Sequence, residues 1–267
     1  MSPMEDKPWQ LQLVRRSLKK KEKLNLLEKH FHVDSNSTIL DLGCAQGILS
    51  YYLRQKGGRW WSVDHDFENL EASREVLKTN LLQIEPGPLP FRDESFDQVI
   101  SLDYLEHLDD DDFCLKEIHR ILKTGGELLA ATPRTGKIYI LYKLGNLLGM
   151  RLEFYGHKRQ GYTLKGLREK LEKSGFLFTR HRSFTRFISE FVELVLNFFY
   201  IKFFSAKTPS GKRDGQIKPS TSEEFTARKK AFHLYAFIYP VIWIITRLDK
   251  LLFFQRGYGL MVWAKKK

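Results

Sequence analysis

The segment TILDLGCAQGILSYYL, residues 38–53, combines an acid and two glycines at the point where a strand gives way to a helix. Its aliphatic run at 39–42 is typical of a parallel strand buried on both faces. Gly43 and Gly47 permit backbone angles and close approaches that a side chain would block. Asp41 stands near the carboxyl end of the strand, where open α/β sheets bind ligands. The pattern predicts a cofactor site, although a tight strand-to-helix connection would show the same pattern.

A second acid follows at the spacing that a nucleotide site requires. RWWSVDHDF predicts a strand from Trp60 to Val63 that ends in Asp64, roughly twenty residues beyond the glycine turn. Nucleotide-binding folds place a carboxylate there to accept hydrogen bonds from the hydroxyls of a ribose. The alternative is that Asp64 and Asp66 cap a helix that starts near Phe67.

Three segments together resemble the class I S-adenosylmethionine-dependent methyltransferases, specifically the group allied to the quinone-biosynthesis and small-molecule enzymes. They are DLGCAQG at 41–47, WSVDHD at 61–66 and LPFRDESFDQVISLDYLEHL at 89–108. RILKTGGELLAATP at 120–133 and GYTLKGLREKLEKSGF at 161–176 are similar to later parts of that group. The resemblance covers about residues 37–178 and the final strand GYGLMVWA, and its motifs occur in the family's order.

The resemblance implies S-adenosylmethionine as the cofactor. Its methionine carboxylate would lie over the turn, where amide groups and the helix terminus favour anions. Asp41 would attract its ammonium group, Asp64 would bind the ribose and Glu85 would take the adenine amino group. The implied cofactor-binding residues are Asp41, Gly43, Cys44, Ala45, Gly47, Asp64, His65, Glu85 and Leu102.

Two residues depart from the family pattern. Ala45 stands where a third glycine is usual and adds a methyl group near the cofactor. Pro86 follows the loop acid at a place where the family commonly donates an amide to adenine, and proline has no N–H to give. We therefore expect looser adenine recognition, or recognition by another donor.

Candidate acceptor-side residues follow the fourth strand. His107 and Tyr104 are the candidate bases for a hydroxyl acceptor, although the favoured alternative for His107 is a structural residue hydrogen-bonded to backbone. His157, Arg159 and Tyr162 lie in a segment that resembles the substrate-side loop of related enzymes and could bind a phosphate or carboxylate.

A metal site is the less favoured interpretation of the same region. One subset of the family binds a divalent metal with an ExxEH motif, and Asp103, Glu106 and His107 have that spacing. Such ligands would suit magnesium or manganese. Because EH at this place is widespread in metal-free relatives, the prediction is that no metal is bound.

The elements that must position these residues alternate between strand and helix. Strands are predicted to begin near Thr38, Trp60, Leu82, Asp97, Glu127, Leu177 and Tyr258. The resemblance implies an α/β fold with a Rossmann-like, seven-stranded, mostly parallel sheet, helices on both faces and an antiparallel last strand. The expected divisions are a basic arm at 1–36, the core at 37–186, a hydrophobic helical insertion at 187–256 with a mobile loop at about 205–230, and the closing strand at 257–267.

Both ends of the chain carry segments that the core does not require. The arm at 9–31 predicts one basic amphipathic helix with six cations between Arg15 and Lys23. It would pack beside the substrate pocket as a lid with a solvated cationic face, or rest that face on anionic lipid. The segments 188–204 and 231–254 are rich in apolar residues and either bury against the core or form a membrane-facing surface. The second is short of the roughly twenty residues that span a bilayer.

Composition adds a compartment and a class of partner. The formal net charge of +12 points to anionic partners, whether phosphates, acidic lipid or nucleic acid. The two cysteines, Cys44 and Cys114, lack metal or redox spacing, which indicates free thiols in a reducing compartment. The first ten residues lack the apolar core of a signal peptide. We therefore expect a cytoplasmic protein that could associate with the inner face of the membrane.

The predicted function is methyl transfer to oxygen or carbon of a small, lipophilic or membrane-associated acceptor, such as a quinone, a lipid-linked sugar or a natural product. RNA or protein modification is the alternative that the charge suggests. Nucleic-acid modules usually add stacking aromatics or a binding domain, and the sequence shows neither. A cofactor-binding module without catalysis is a third, weaker alternative, suggested by Ala45 and Pro86.

Overall fold

The computed structural model describes residues 8–14, 16–136, 139–150, 152, 156–203, 226, 229–252 and 256–267. Within them seven strands form one sheet in the order β3-β2-β1-β4-β5-β7-β6. The strands are β1 (Thr38–Leu42), β2 (Arg59–Asp64), β3 (Leu81–Gln83), β4 (Phe96–Leu102), β5 (Leu122–Pro133), β6 (Phe176–Phe184) and β7 (Gly259–Lys266). Strands β1 to β5 pair in parallel, whereas β7 is antiparallel to both β5 and β6. The predicted Rossmann-like fold is confirmed.

Nine α-helices are described in this part of the chain, and they flank the sheet on both faces. They are α1 (Trp9–Val14), α2 (Leu18–His30), α3 (Ile48–Arg54), α4 (Phe67–Leu77), α5 (Asp111–Ile121), α6 (Ile140–Leu147), α7 (Leu164–Lys173), α8 (Phe187–Phe203) and α9 (Lys229–Arg247). Short 3-10 turns occur at Leu105–His107 and Leu248–Leu252. The strand order reverses between β1 and β4, which is where doubly wound sheets open a crevice for ligands.

Alternate residues of the central strand pack the two core layers. Ile39 of β1 packs with Leu27 of α2 and Leu53 of α3 on one face. Leu40 lies on the opposite face with Leu115 of α5. The side chains of Ile39, Leu40, Leu27 and Leu115 are all fully buried. Each contributes about 1.5–3 kcal/mol, so this packing stabilises β1 between the two helical layers.

The N-terminal arm forms two helices, so the prediction of one continuous helix is wrong. α1 ends at Val14 and α2 begins at Leu18. Ser17 has extended backbone angles and its Oγ accepts a hydrogen bond from Lys20 N at 3.4 Å, which is the geometry of a helix N-cap. Arg15 lies outside the described residues. The break allows α2 to pack against the sheet independently of α1.

The helices α8 and α9 lie between β6 and β7 in chain order. The carboxylate of Asp249, which is buried, accepts hydrogen bonds from Ile188 N at 2.8 Å and Ser189 N at 3.0 Å, so it caps α8. In the described parts of the chain, no helix has the length and apolar character needed to cross a membrane. The predicted mobile loop at about 205–230 lies almost entirely outside the described residues.

Candidate active site

The turn after β1 contains three residues with positive φ, namely Gly43 at 80°, Ala45 at 47° and Gly47 at 73°. A Cβ at Gly43 would collide with the ring of Tyr104, and one at Gly47 would lie 2.9 Å from the side chain of Leu77. Both positions therefore require glycine for packing as well as for backbone angle. Ala45 adopts the left-handed conformation at a cost of about 1 to 2 kcal/mol.

The amides of this turn donate to β2 instead of toward a ligand. Gly43 N and Cys44 N donate to Val63 O at 2.9 and 3.0 Å. Ala45 N donates to Asp64 Oδ2 at 2.8 Å. These three donors are therefore used within the protein, and the expectation that a cofactor carboxylate lies over the turn and the start of α3 stays a prediction.

The two acids at the end of β2 have separate roles. Asp64 is 3% exposed, and its carboxylate accepts from Ala45 N at 2.8 Å and from Asp66 N at 2.9 Å. Asp66 Oδ1 accepts from Glu68 N at 2.7 Å and Asn69 N at 3.2 Å, so Asp66 is the residue that caps α4. Asp64 is instead held in a fixed position at the edge of the crevice.

Asp41 is a buried acid on the opposite side of the turn. Its carboxylate accepts hydrogen bonds from the hydroxyls of Ser50 and Ser62, the second at 3.1 Å. Burial raises the pKa of Asp41 to about 6, and the two hydroxyl groups act in the opposite direction. At neutral pH the group is mostly ionised, and a bound cation would lower its pKa further.

These acids line a crevice of about 250 Å³ at the carboxyl ends of β1, β2 and β4, called here the cofactor cavity. The predicted residues that it brings together are Asp41, Gly43, Cys44, Ala45, Asp64, His65, Leu102, Tyr104 and His107. Gly47 and Glu85 are not among the residues that line it, and Glu85 is exposed beyond β3. Lys20 and Lys23 of α2 line it and were not predicted.

A second crevice of about 310 Å³, called here the polar cavity, adjoins the first. Lys20, Lys23 and Asp103 line both. Lys23 is buried and forms an ion pair with Asp103. Lys19 pairs with Glu190 of α8 at 2.8 Å. The expectation of a solvated cationic face is therefore wrong for Lys20 and Lys23, because α2 turns them toward the crevices.

Lys20 differs from its neighbours in having no ion-pair partner. No hydrogen bond or ion pair to its ammonium group is found among the described residues, although it lies between the two crevices. Burial and the nearby Lys23 lower its pKa to about 8, so it carries its charge at pH 7. An unpaired ammonium in this position favours a bound anion.

The acid and histidine after β4 lie beside a second histidine. Glu106 is fully buried, and its carboxyl oxygens have no hydrogen-bond partner in the described part of the chain. Burial and nearby Asp103 raise the pKa of Glu106 well above its usual range. Ligand atoms of Glu106, His107 and His157 lie within 4.8 Å of one another. The metal ligands considered from sequence were Asp103, Glu106 and His107. In the structure Asp103 is paired with Lys23, and the residue that lies beside Glu106 and His107 is His157.

Of the three predicted acceptor-binding residues, only His157 lines the polar cavity. Arg159 pairs with Asp111 and donates to Leu108 O at 2.8 Å. Tyr162 is buried and its hydroxyl donates to Asp111 at 2.6 Å. Arg159 and Tyr162 thus bind the segment before α7 to Asp111 of α5. Neither residue lines the cofactor cavity or the polar cavity.

Comparison with known proteins identifies the domain that carries this site. A family model described as a methyltransferase domain matches residues 40–130, from β1 into β5. The solved structure of a SAM-dependent methyltransferase from Methanosarcina mazei covers 90% of this chain and 96% of its own, with a TM-score of 0.54 and 16% identity. Over residues 40–130 the chain is similar to the methyltransferase-domain family, and its fold is shared with S-adenosylmethionine-dependent methyltransferases of known structure. The Methanosarcina mazei protein is named for its dependence on S-adenosylmethionine.

Two curated relatives are similar over part of this chain. A ubiquinone biosynthesis O-methyltransferase of Pelagibacter ubique is 31% identical over 115 residues, which are 41% of this chain and 48% of the relative. A malonyl-[acyl-carrier protein] O-methyltransferase of Hamiltonella defensa is 32% identical over 123 residues, which are 46% and 47% of the two chains. The chain spans about half the length of the curated relatives it matches.

A further solved structure shows that the fold alone does not establish methyl transfer. The [4+2]-cyclase SpnF covers 91% of this chain and 79% of its own, with a TM-score of 0.57 and 15% identity. The residues of the methyltransferase must therefore decide what it can bind. Its cofactor cavity fits S-adenosylmethionine, because it offers two buried carboxylates for the ammonium and ribose groups and the unpaired ammonium of Lys20 for the carboxylate.

Proposed function

We propose that the protein transfers the methyl group of S-adenosylmethionine to an oxygen or carbon of a small lipophilic acceptor. The observation that carries this proposal is the direct junction of the cofactor cavity with the polar cavity at Lys20, Lys23 and Asp103. When bound, S-adenosylmethionine supplies an electrophilic methyl group on sulfur. The protein has to align the acceptor with it, and alignment alone accounts for much of the rate enhancement in such reactions.

Three residues would hold the cofactor. Asp64 is fixed by two backbone amides and would accept hydrogen bonds from the ribose hydroxyls. Asp41 would attract the ammonium group. Lys20 would pair with the carboxylate, because the amides of Gly43, Cys44 and Ala45 are already engaged and its own ammonium has no partner among the described residues.

We assign His107 as the residue that accepts a proton from a hydroxyl acceptor, because it lines the cofactor cavity with its ring 4.7 Å from that of His157, which lines the polar cavity. Its Nδ1 lies 2.9 Å from Gly156 O, and because a carbonyl only accepts, Nδ1 carries the hydrogen and Nε2 is the basic nitrogen of the neutral ring. Burial lowers the pKa of His107, so it is neutral at pH 7. Tyr104 is buried against Gly43 and its pKa is raised by burial, which makes it a packing residue in this proposal.

The lipophilic class of acceptor is supported by the relatives and by the surface. The ubiquinone enzyme among the relatives is named for a lipophilic product. The methyltransferase also exposes an apolar stripe on α9 and the turn after it, formed by Phe237, Val241, Ile244, Leu248 and Leu251. We infer that this stripe brings the protein to a membrane surface from which it takes its acceptor.

A labelled-methyl experiment tests the proposal. The protein is incubated with S-adenosylmethionine carrying a labelled methyl group and with lipid, RNA or protein fractions of a cell extract. We expect label in the lipid fraction. Label confined to RNA or protein would support the alternative acceptor class, and label in no fraction from a protein that binds the cofactor would indicate a non-catalytic module.

A further inference from the structure

A third cavity, called here the apolar cavity, lies between α6, α8 and the segment that precedes α7. Its volume is about 130 Å³. Most of its wall is apolar, formed by Leu141, Tyr142, Gly145, Met150, Leu152 and Leu194. It shares Lys19, Pro133, Tyr142, His157 and Glu190 with the polar cavity. The cofactor cavity, the polar cavity and the apolar cavity therefore follow one another through the molecule.

The size and lining of the apolar cavity suit a short hydrocarbon group. An apolar cavity of about 150 Å³ engineered in another protein binds benzene. A space of similar size next to the polar cavity can take a ring or one isoprene-sized unit. Moving such a group from water into an apolar wall is favourable by about 0.8 kcal/mol per methylene.

Gly145 keeps this space open. It lies inside α6, where glycine costs about 1 kcal/mol relative to alanine, and its φ is not positive, so the helix itself does not require it. A Cβ at this position would lie 3.2 Å from Leu194 Cδ1 and 3.6 Å from Met150 Cε. Both of those side chains line the cavity. Any side chain longer than alanine at this position would project into the space between them.

We propose that the apolar cavity receives the apolar tail of the acceptor and that Gly145 sets the length of tail that the enzyme accepts. This inference rests on the proposed function, because it places the reacting group of the acceptor in the polar cavity. The acceptor is then a molecule with a polar head in the polar cavity beside Asp103 and His157, and a hydrocarbon tail that passes the Lys19–Glu190 ion pair.

Calorimetry with a graded series of probes tests the inference. The alkyl esters of 4-hydroxybenzoate, from methyl to hexyl, combine one phenol with tails of increasing length. They are titrated into the parent protein saturated with S-adenosylhomocysteine. We expect affinity to rise up to about fourfold per methylene until the cavity is full.

Two variants should move this limit in opposite directions. Gly145→Leu should abolish most of the rise, and Met150→Ala should prolong it to longer esters. Leu147→Phe is the matched control, because Leu147 lies on the same helix and is 83% exposed, so its variant should follow the parent. The affinity for S-adenosylhomocysteine should be unchanged in all three.

The outcomes separate this inference from the function on which it rests. A parent protein that shows no rise with tail length, including no binding of any ester, overturns the tail site. A Gly145→Leu protein with the parent's rise overturns the role of Gly145. A parent protein that does not bind S-adenosylhomocysteine contradicts the proposed function itself.

Discussion

Burial and the ammonium of Lys23 lower the pKa of Lys20 to about 8, while Asp103 and Glu193 act in the opposite direction. Below pH 8 the group is charged, and above it the charge is lost. Cofactor affinity should therefore fall by roughly tenfold between pH 7 and pH 9. Calorimetry of S-adenosylhomocysteine across this range measures it. Because Lys20→Arg stays charged, the contribution of residue 20 to the affinity for S-adenosylhomocysteine should not change with pH in that variant. Lys20→Met should bind S-adenosylhomocysteine weakly over the whole range. Parallel pH profiles for the parent and Lys20→Arg would exclude this role.

The cluster of Glu106, His107 and His157 bears on the prediction that no metal is bound. Burial and nearby Asp103 raise the pKa of Glu106 well above its usual range, which disfavours the anionic form that a metal ligand needs. Asp103 is neutralised by Lys23. We expect labelled-methyl transfer to be unchanged in EDTA, and magnesium titrated into the cofactor-loaded protein to give no binding heat. Activity lost in chelator and restored by magnesium would instead make the three residues ligands.

At the scale of elements, the Asp249 cap fixes α8, which contributes Glu190 and Leu194 to the cavities. Asp249→Ala removes the acceptor for two helix amides and should cost about 1 to 2 kcal/mol. For a protein of this length that corresponds to a fall in Tm of about 2–8 °C. Thermal unfolding followed by circular dichroism measures it. Asp34→Ala, at an exposed position, is the control, and equal melting of the two variants would show that the cap does not stabilise the helix.

Some features of these elements could be predicted from the sequence, and others could not. The strands and the cluster from Asp41 to Ala45 were predictable, because apolar runs and glycine turns act locally. The inward direction of Lys20 and Lys23 was not, since it depends on how α2 rotates after the Ser17 cap. The pairing of Arg159 with Asp111 and the approach of His157 to Glu106 join segments about fifty residues apart, and no local pattern encodes them. The divisions at residues 36, 186 and 256 stay predictions.

At the scale of the whole molecule, the stripe on α9 and the following turn is the surface expected to meet a membrane. Its five side chains are 50% to 82% exposed, and Arg247 lies over the ring of Trp243 at 4.0 Å beside it. Because the α2 lysines line the crevices, apolar contact must supply most of the affinity, with the net charge of +12 adding attraction to acidic lipid. We expect the protein to sediment with acidic vesicles.

Variants of the stripe test whether it is the surface that binds the vesicles. Val241→Asp with Ile244→Asp should abolish most of the sedimentation, because each buried aliphatic side chain contributes about 1.5–3 kcal/mol. Leu177→Asp makes the same kind of change at an exposed position of β6 and should sediment like the parent. A parent protein that stays in the supernatant at low salt would refute membrane contact.

The central claim is that the crevice at the ends of β1, β2 and β4 binds S-adenosylmethionine through Asp64. Calorimetry of S-adenosylmethionine and S-adenosylhomocysteine with the parent and with Asp64→Ala tests it most directly, with circular dichroism to verify that the variant is folded. We expect micromolar binding by the parent, equivalent to about −8 kcal/mol, and at least tenfold weaker binding by the variant because the ribose contacts are lost. Equal affinity of the two proteins, or no binding by the parent, would contradict it.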